Sequence, residues 1–183
     1  MRKKLVLGIS GSPRENGNTD IAIKRTLKII RREKLVDAEF IRLTEFNIKY
    51  CRGCRECMQT GKCSIKDDDF QIILEKIMEA ELILIGAPVY WNGPPGLMKN
   101  FIDRTHGFYI DTKKFVGKKV GIISVAADGG FESNESILFW VKHYGAEIIA
   151  KTRLYAREKG DMLQRPTEII KLTTFARKIV KSL

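Results

Sequence analysis

Outside one short segment the chain has no cysteine: all four, Cys51, Cys54, Cys57 and Cys63, fall within thirteen of its 183 residues. Thiols so crowded cannot staple distant parts of a fold together, so the chain must stabilise itself by burying apolar surface. Long apolar runs are missing too. The longest, Leu82 to Trp91, is broken by Gly86 and Pro88 and falls far short of the roughly 20 residues of a membrane span. Leu5–Ile9, behind Met-Arg-Lys-Lys, is too short for a signal-peptide core. A soluble cytoplasmic protein with reduced cysteines and no membrane association is expected. Histidine is scarce, and neither His106 nor His143 stands in a recognisable acid–base or metal arrangement, so structural roles are expected for both. Acidic residues are in deficit, 22 against 33 Lys+Arg, for a net charge of +11, which favours anionic cofactors or acidic partners. The basic residues, such as Lys24, Arg25, Lys28, Arg31 and Arg32, are spread along helical faces without an RNA-binding aromatic signature. Nucleic-acid binding is therefore not expected.

The cysteines have the spacing C-x2-C-x2-C-x5-C. Three sulfurs at successive i, i+3 offsets can converge on one compact object, and Gly53 and Gly61 let the backbone wrap around it through positive φ. Zinc sites normally pair two C-x2-C knuckles across a longer insert, whereas a single run of three thiols favours a cubane iron–sulfur cluster. Zinc, and reduced or disulfide-forming thiols on a mobile loop, are the alternatives. Lys49, Arg52, Arg55, Lys62 and Lys66 crowd the same segment. Positive charge there would stabilise an added electron, although solvated surface residues would look the same.

Elsewhere short apolar runs alternate with amphipathic stretches, the pattern of a parallel sheet covered by helices on both faces. Strands are expected near Lys3–Ile9, Asp37–Leu43, Leu82–Gly86, Lys119–Val125 and Glu147–Thr152. Helices are expected near Thr19–Glu33, Asp68–Glu79, Pro95–Thr105, Glu132–Tyr144 and Thr167–Lys181, with Asp67–Asp69 as an N-cap cluster and Gly145 as a C-cap. Five strands joined by helices predict an α/β three-layer sandwich in the flavodoxin-like order 2-1-3-4-5. We read residues 1–183 as a single domain with a cysteine-rich loop at about 48–66.

A ligand of such a sheet sits beyond the carboxyl ends of its strands, on the loops after the first, third and fourth. The first of these is Ser10-Gly11-Ser12-Pro13-Arg14-Glu15-Asn16-Gly17-Asn18-Thr19, opening into a helix. Its hydroxyls, the Asn18 amide, the free N–H groups of the helix start and Arg14 suit a phosphate. It lacks the Walker A lysine and does not match G-x-G-x-x-G, which disfavours ATP hydrolysis and Rossmann-type dinucleotide binding, so a monophosphate is expected. The second, Pro88-Val89-Tyr90-Trp91-Asn92-Gly93 and the prolines beyond it, offers flat aromatic faces on a restricted backbone, suited to a heterocycle. Trp91 could equally be a core or interface anchor. The third, Asp128-Gly129-Gly130, lets a flat ring approach main chain closely. Lys99, Asp103 and Arg104 have the spacing of a surface ion pair on a helix.

With S-G-S-P-R-x-x-G-N-T, A-P-V-Y-W-N-G-P-P-G-L-M-K-N-F-I-D-R and the four cysteines in order, the chain resembles the NADPH-dependent FMN reductase superfamily of flavodoxin-like proteins. More narrowly it resembles the iron–sulfur flavoproteins of archaea and anaerobic bacteria. The resemblance implies an oxidoreductase in which Ser10, Ser12, Pro13, Arg14, Asn16, Gly17, Asn18 and Thr19 hold the phosphate of noncovalent FMN. It implies an isoalloxazine against Pro88, Val89, Tyr90, Trp91, Asn92, Gly93, Asp128, Gly129 and Gly130, and a 4Fe-4S cluster on Cys51, Cys54, Cys57 and Cys63. It further implies a homodimer or homotetramer and a ferredoxin-type electron donor, with no indispensable side-chain acid, base or nucleophile. An NAD(P)H-dependent FMN or quinone reductase without a cluster is the alternative.

Overall fold

The nearly all-apolar run Leu82–Pro88 (β3) is the central strand of a five-stranded parallel sheet in a computed structural model that describes residues 3–183. Lys4–Ser10 (β1) and Val36–Arg42 (β2) lie on one side of it, Lys119–Ala126 (β4) and Glu147–Tyr155 (β5) on the other, giving the order β2-β1-β3-β4-β5. Alternation along β3 assigns the two faces. Leu82 and Leu84 pack with Ile23, Leu27 and Ile30 of Asn18–Glu33 (α1) and with Leu172, Phe175 and Ile179 of Pro166–Ser182 (α6). Ile83 and Ile85 face the opposite layer, where Ile73 and Ile77 of Phe70–Glu79 (the third helix, α3) join Met98 and Phe101 of Gly96–Arg104 (α4). Between these layers in sequence, Cys57–Thr60 forms a short helix, α2, and Phe131–Leu138 forms α5. The predicted order and layering are those observed. Among the described residues no helix is long and apolar enough to cross a membrane.

The departures are local. Expected to run from Glu132 to Tyr144, α5 stops at Leu138 and tightens into a 3-10 turn over Phe139–Tyr144. In that tighter winding residues three apart share a face, which points Val141 and Tyr144 together into the core, and Gly145 closes the segment at φ 89 as expected. Strand β5 continues three residues past Thr152, pairing Arg153, Leu154 and Tyr155 with Ser124, Val125 and Ala126. The polar pattern hid this extension, because Arg153 is held by Glu132 and Glu135 and the Tyr155 amide donates to Glu168 Oε2 at 2.8 Å. Helix α3 begins at Phe70, whose amide donates to Asp68 Oδ1 at 3.2 Å, while Asp69 at the N-cap position makes no side-chain cap bond.

Gly8 and Gly86 together let α1 approach the sheet closely. A Cβ on Gly8 in β1 would lie 2.4 Å from Ile23 Cγ2 and 3.0 Å from Leu27 Cδ1. Gly8→Ala is therefore expected to lower stability by about 1–3 kcal/mol through overpacking. Denaturant unfolding of Gly8→Ala, Ile23→Ala and the double variant should show coupling of the two sites, whereas additive losses would refute the clash. A second expectation concerns acid. Burial alone would raise the Glu135 carboxyl, but hydrogen bonds from Arg153 and Lys151 outweigh it and hold it below its ordinary value of 4.5. Its stabilising contribution is thus complete above that value and lost as pH falls through the lowered folded one. Unfolding measured down the acid limb should fall less steeply for Glu135→Gln than for the parent chain.

Candidate functional site

Because all five strands run in one direction, the loops after β1, β3 and β4 open on a single rim. Backbone bonds lock them side by side: the Gly11 amide donates to Gly86 O at 2.8 Å, and the Val89 amide donates to Val125 O at 2.8 Å. Gly130, at φ 77, completes the seam, since a Cβ there would lie 2.6 Å from Asn92 Oδ1 and 2.8 Å from Val89 Cγ1. The structure therefore brings the three predicted loops together.

In the first loop the shape is set by an acid that the sequence reading passed over. Asp20 is fully buried. It accepts from Ser10 Oγ at 2.5 Å and from the Asn16 amide at 2.8 Å, and it lies 3.0 Å from Arg42 Nε. Its position in the first turn of α1, three residues after Gly17, is the signal that could have found it. Ser12 Oγ accepts from the Arg14 amide at 3.2 Å, and Arg14 Nη1 donates to Arg157 O at 3.2 Å. Asn18 is occupied as well. Its Nδ2 donates to Glu158 O at 2.8 Å, and its Oδ1 accepts from the amides of Gly160 at 3.1 Å and Met162 at 3.3 Å. Ser10, Ser12 and Asn18 thus shape the loop, while Pro13, Arg14 and Asn16 are exposed and Gly17 and Thr19 buried. For an anion there remain the Thr19 hydroxyl, the first-turn amides of α1 with their positive dipole end, and the charge of Arg14, a donor set that fits a phosphate.

The second loop is a two-residue turn. Tyr90 and Gly93 exchange hydrogen bonds of 2.7 and 3.0 Å, and between them Trp91 and Asn92 are both left-handed, at φ 49 and 63. This is the type I′ geometry. Such a conformation costs a residue with a bulky side chain about 1–3 kcal/mol, and Trp91 is also fully exposed, at 102%. Trp91 is therefore no core anchor. It stands at the tip of the loop beside the half-exposed Tyr90, while Pro94 and Pro95 are buried at its base. Asp128 is exposed, and beside it a Cβ on Gly129 would meet nothing within 4 Å. Open main chain and unpacked aromatic faces at one rim fit a flat heterocycle.

The cysteine segment lies next to this rim because α4 leads from one to the other. Cys51, Cys54, Cys57 and Cys63 line one cavity of about 340 Å³, together with Ser64, Arg104 and His106. Left-handed Gly53 and Arg55, at φ 64 and 61, turn the backbone around it, and Gly61 at φ 72 ends α2. Burial pushes the Cys57 thiol up, and the negative charge of Cys63, Cys54 and Cys51 pushes it further. The four sulfurs are thus electrostatic neighbours. Among the described residues no three His, Cys, Asp or Glu side chains are grouped as ligands of a single metal ion. His106 stacks on Tyr109 with ring centroids 6.0 Å apart.

One expectation for α4 is corrected. Lys99 and Asp103 do form the surface pair, at 2.5 Å, but Arg104 does not join them. Its side chain is fully buried and pairs with the equally buried Asp68 at 2.6 Å. A spacing rule cannot distinguish an outward turn of the helix from one covered by a loop remote in sequence, and here residues 48–69 cover it. Asn100, one turn before Arg104, accepts from the Cys51 amide at 3.0 Å and donates to Ile48 O at 3.2 Å. Asn100 lies inside the A-P-V-Y-W-N-G-P-P-G-L-M-K-N-F-I-D-R run and Asp68 inside the N-cap cluster, but neither pattern announces these partners.

The NADPH-dependent FMN reductase family model matches residues 5–159. The chain is 39% identical over 132 residues to an iron–sulfur flavoprotein of Methanocaldococcus jannaschii, covering 70% of this chain and 66% of that one. It is 30% identical over 149 residues to an iron–sulfur flavoprotein of Methanosarcina thermophila, covering 79% of this chain and 76% of the relative. Across several such relatives the chain spans between about half and two thirds of their length. A solved structure of an NADH:FMN oxidoreductase in its apo form shares the fold, with a TM-score of 0.72, 15% identity, and coverage of 98% of this chain and 90% of that one. Together with the ordered rim loops and the cysteine run, these matches show that the chain belongs to the NADPH-dependent FMN reductase family, within its iron–sulfur flavoprotein group.

Proposed function

We propose that the chain is an FMN-dependent oxidoreductase of the electron-transfer type, carrying a 4Fe-4S cluster and passing electrons between a low-potential carrier such as ferredoxin and an acceptor. The observation that carries this reading is the placement of α4: it begins just after the aromatic loop and ends against the cysteine cavity, joining both candidate cofactor sites through one rigid element. Nine residues of helix span about 13 Å.

FMN, when bound, supplies paired or single electron transfer, and the cluster supplies single electron transfer. The chain's own groups bind and orient. Thr19, the start of α1 and Arg14 hold the phosphate, while Ser10, Ser12 and Asn18 keep that loop in shape. Tyr90, Trp91 and the open backbone at Gly129 receive the ring. Cys51, Cys54, Cys57 and Cys63 are the cluster ligands, and their shared cavity supports that assignment. The basic rim of the cysteine loop, including Arg52, Arg55 and Lys62, suits an acidic electron donor. Assembly as a homodimer or homotetramer is part of the same proposal, and the fully exposed Trp91 gives such an interface an aromatic anchor.

A second reading, an NAD(P)H-dependent FMN or quinone reductase without a cluster, is favoured by the absence of a compact single-ion ligand group among the described residues. Anaerobic purification with iron and flavin quantitation separates the two. Flavin absorption over a broad, dithionite-bleachable shoulder, with about four iron atoms per chain, is expected for the cluster protein. Stoichiometric flavin without iron would establish the second reading instead. Cys54→Ala should lose iron while keeping FMN, because the two donor sets lie on different loops. Parallel loss of both, measured by the same two assays, would disprove that division.

A further inference from the structure

We infer that Arg104 is a positioning residue that sets the electron affinity of the cysteine centre through a direct N–H···S bond to Cys63. The inference rests on the reading of the four cysteines as cluster ligands. Arg104 Nε donates to Cys63 Sγ at 3.1 Å. The rest of the guanidinium is spent on holding that geometry. Nη1 donates to Lys49 O at 2.7 Å and to Asp68 Oδ2 at 2.6 Å, while Nη2 donates to Ile65 O at 3.2 Å and Asp68 Oδ1 at 3.3 Å. The two carbonyls come from opposite ends of the cysteine loop, one before Cys51 and one after Cys63, so a single planar group closes the loop at its neck. Phe70 fixes the plane from one side, with its ring centroid 4.4 Å from the Arg104 Cζ.

Only arginine meets these demands at once. Lysine has three donors around one point and cannot send a carboxylate fork, two carbonyl bonds and a sulfur bond in one plane. The charge matters separately from the shape. Arg104 and Asp68 are both buried and cancel each other at first order, so Cys63 meets a cationic donor whose charge is partly balanced from the far side. Hydrogen bonds to cluster sulfurs and nearby positive charge stabilise the electron-rich reduced state, which raises the reduction potential. Of the other ligands, Cys54 is 3.4 Å from the neutral Ser64 hydroxyl. The geometry therefore makes Cys63 the ligand through which protein charge acts most directly on the centre.

The sign of the effect provides the test. Holoprotein with iron and FMN loaded anaerobically is titrated with reductant, following the cluster by its low-temperature paramagnetic signal and FMN by absorbance. Relative to wild type, Arg104→Gln removes the cationic donor, and Asp68→Asn leaves that cation unbalanced. At the wild-type midpoint, Arg104→Gln should lower the reduced-to-oxidised cluster ratio about tenfold, equivalent to roughly 59 mV for one electron. Asp68→Asn should shift the same ratio upward, and Arg104→Lys should lie between Arg104→Gln and wild type. A role in packing alone would leave the cluster ratio unchanged or move both substitutions in the same direction, and either result overturns the inference. Should Arg104→Gln fail to hold iron, Arg104→Lys against Asp68→Asn decides by the same opposition of sign. Wild-type protein that takes up FMN but no iron overturns the cluster reading itself, an outcome the iron assay distinguishes from an unmoved potential.

Discussion

A buried guanidinium must find a partner for its charge and for each of its donors, and in this fold that requirement organises everything beside the sheet's carboxyl rim. Burying an ion costs several kcal/mol unless pairing offsets it, so residues 48–69 must close over Arg104 with Asp68 in place or not close at all. Burial alone would raise the Asp68 carboxyl, yet the bonds from Arg104 and the amides of Lys49 and Phe70 hold it below its ordinary value. The pair also starts α3, because the same carboxylate caps Phe70. Cysteine loop, helix start and helix end are thus one electrostatic unit.

The parallel sheet supplies the other constraint. With every strand ending at the same rim, loops far apart in sequence become neighbours without any further design, and small residues at the seam let their backbones touch. The stiffness of α4 then relates the aromatic loop to the cysteine cavity. On the proposed reading, two groups of different electron-carrying capacity at a fixed separation would need no moving part between them. On the same reading the bound groups would carry the chemistry, and the protein would contribute position and charge.

Legibility in the sequence followed how local each signal was. Strand order came from the alternation of apolar and amphipathic stretches, and the central place of Leu82–Pro88 from its unbroken apolar character on both faces. The rim loops were legible because glycine, proline and hydroxyl residues mark turns and anion sites by their own chemistry. Arg42, Asn100, Asp68 and Arg104 were not, since each acquires its role from partners remote in sequence. Arg104 is 36 residues from Asp68 and 41 from Cys63. Its neighbours Lys99 and Asp103, one turn apart, offered a sufficient local explanation and drew it into the wrong group. Likewise, the side-chain amide of Asn18 is committed to main-chain groups that nothing near it in sequence announces.

Those main-chain groups lie 140 to 144 positions further along the chain. The amide of Asn18 therefore ties its loop to a segment synthesised much later. Residues 10–19 leave the ribosome well before their partners, and they reach their final form only after Glu158, Gly160 and Met162 have emerged. A nascent chain halted before that point would present the loop without its fastening.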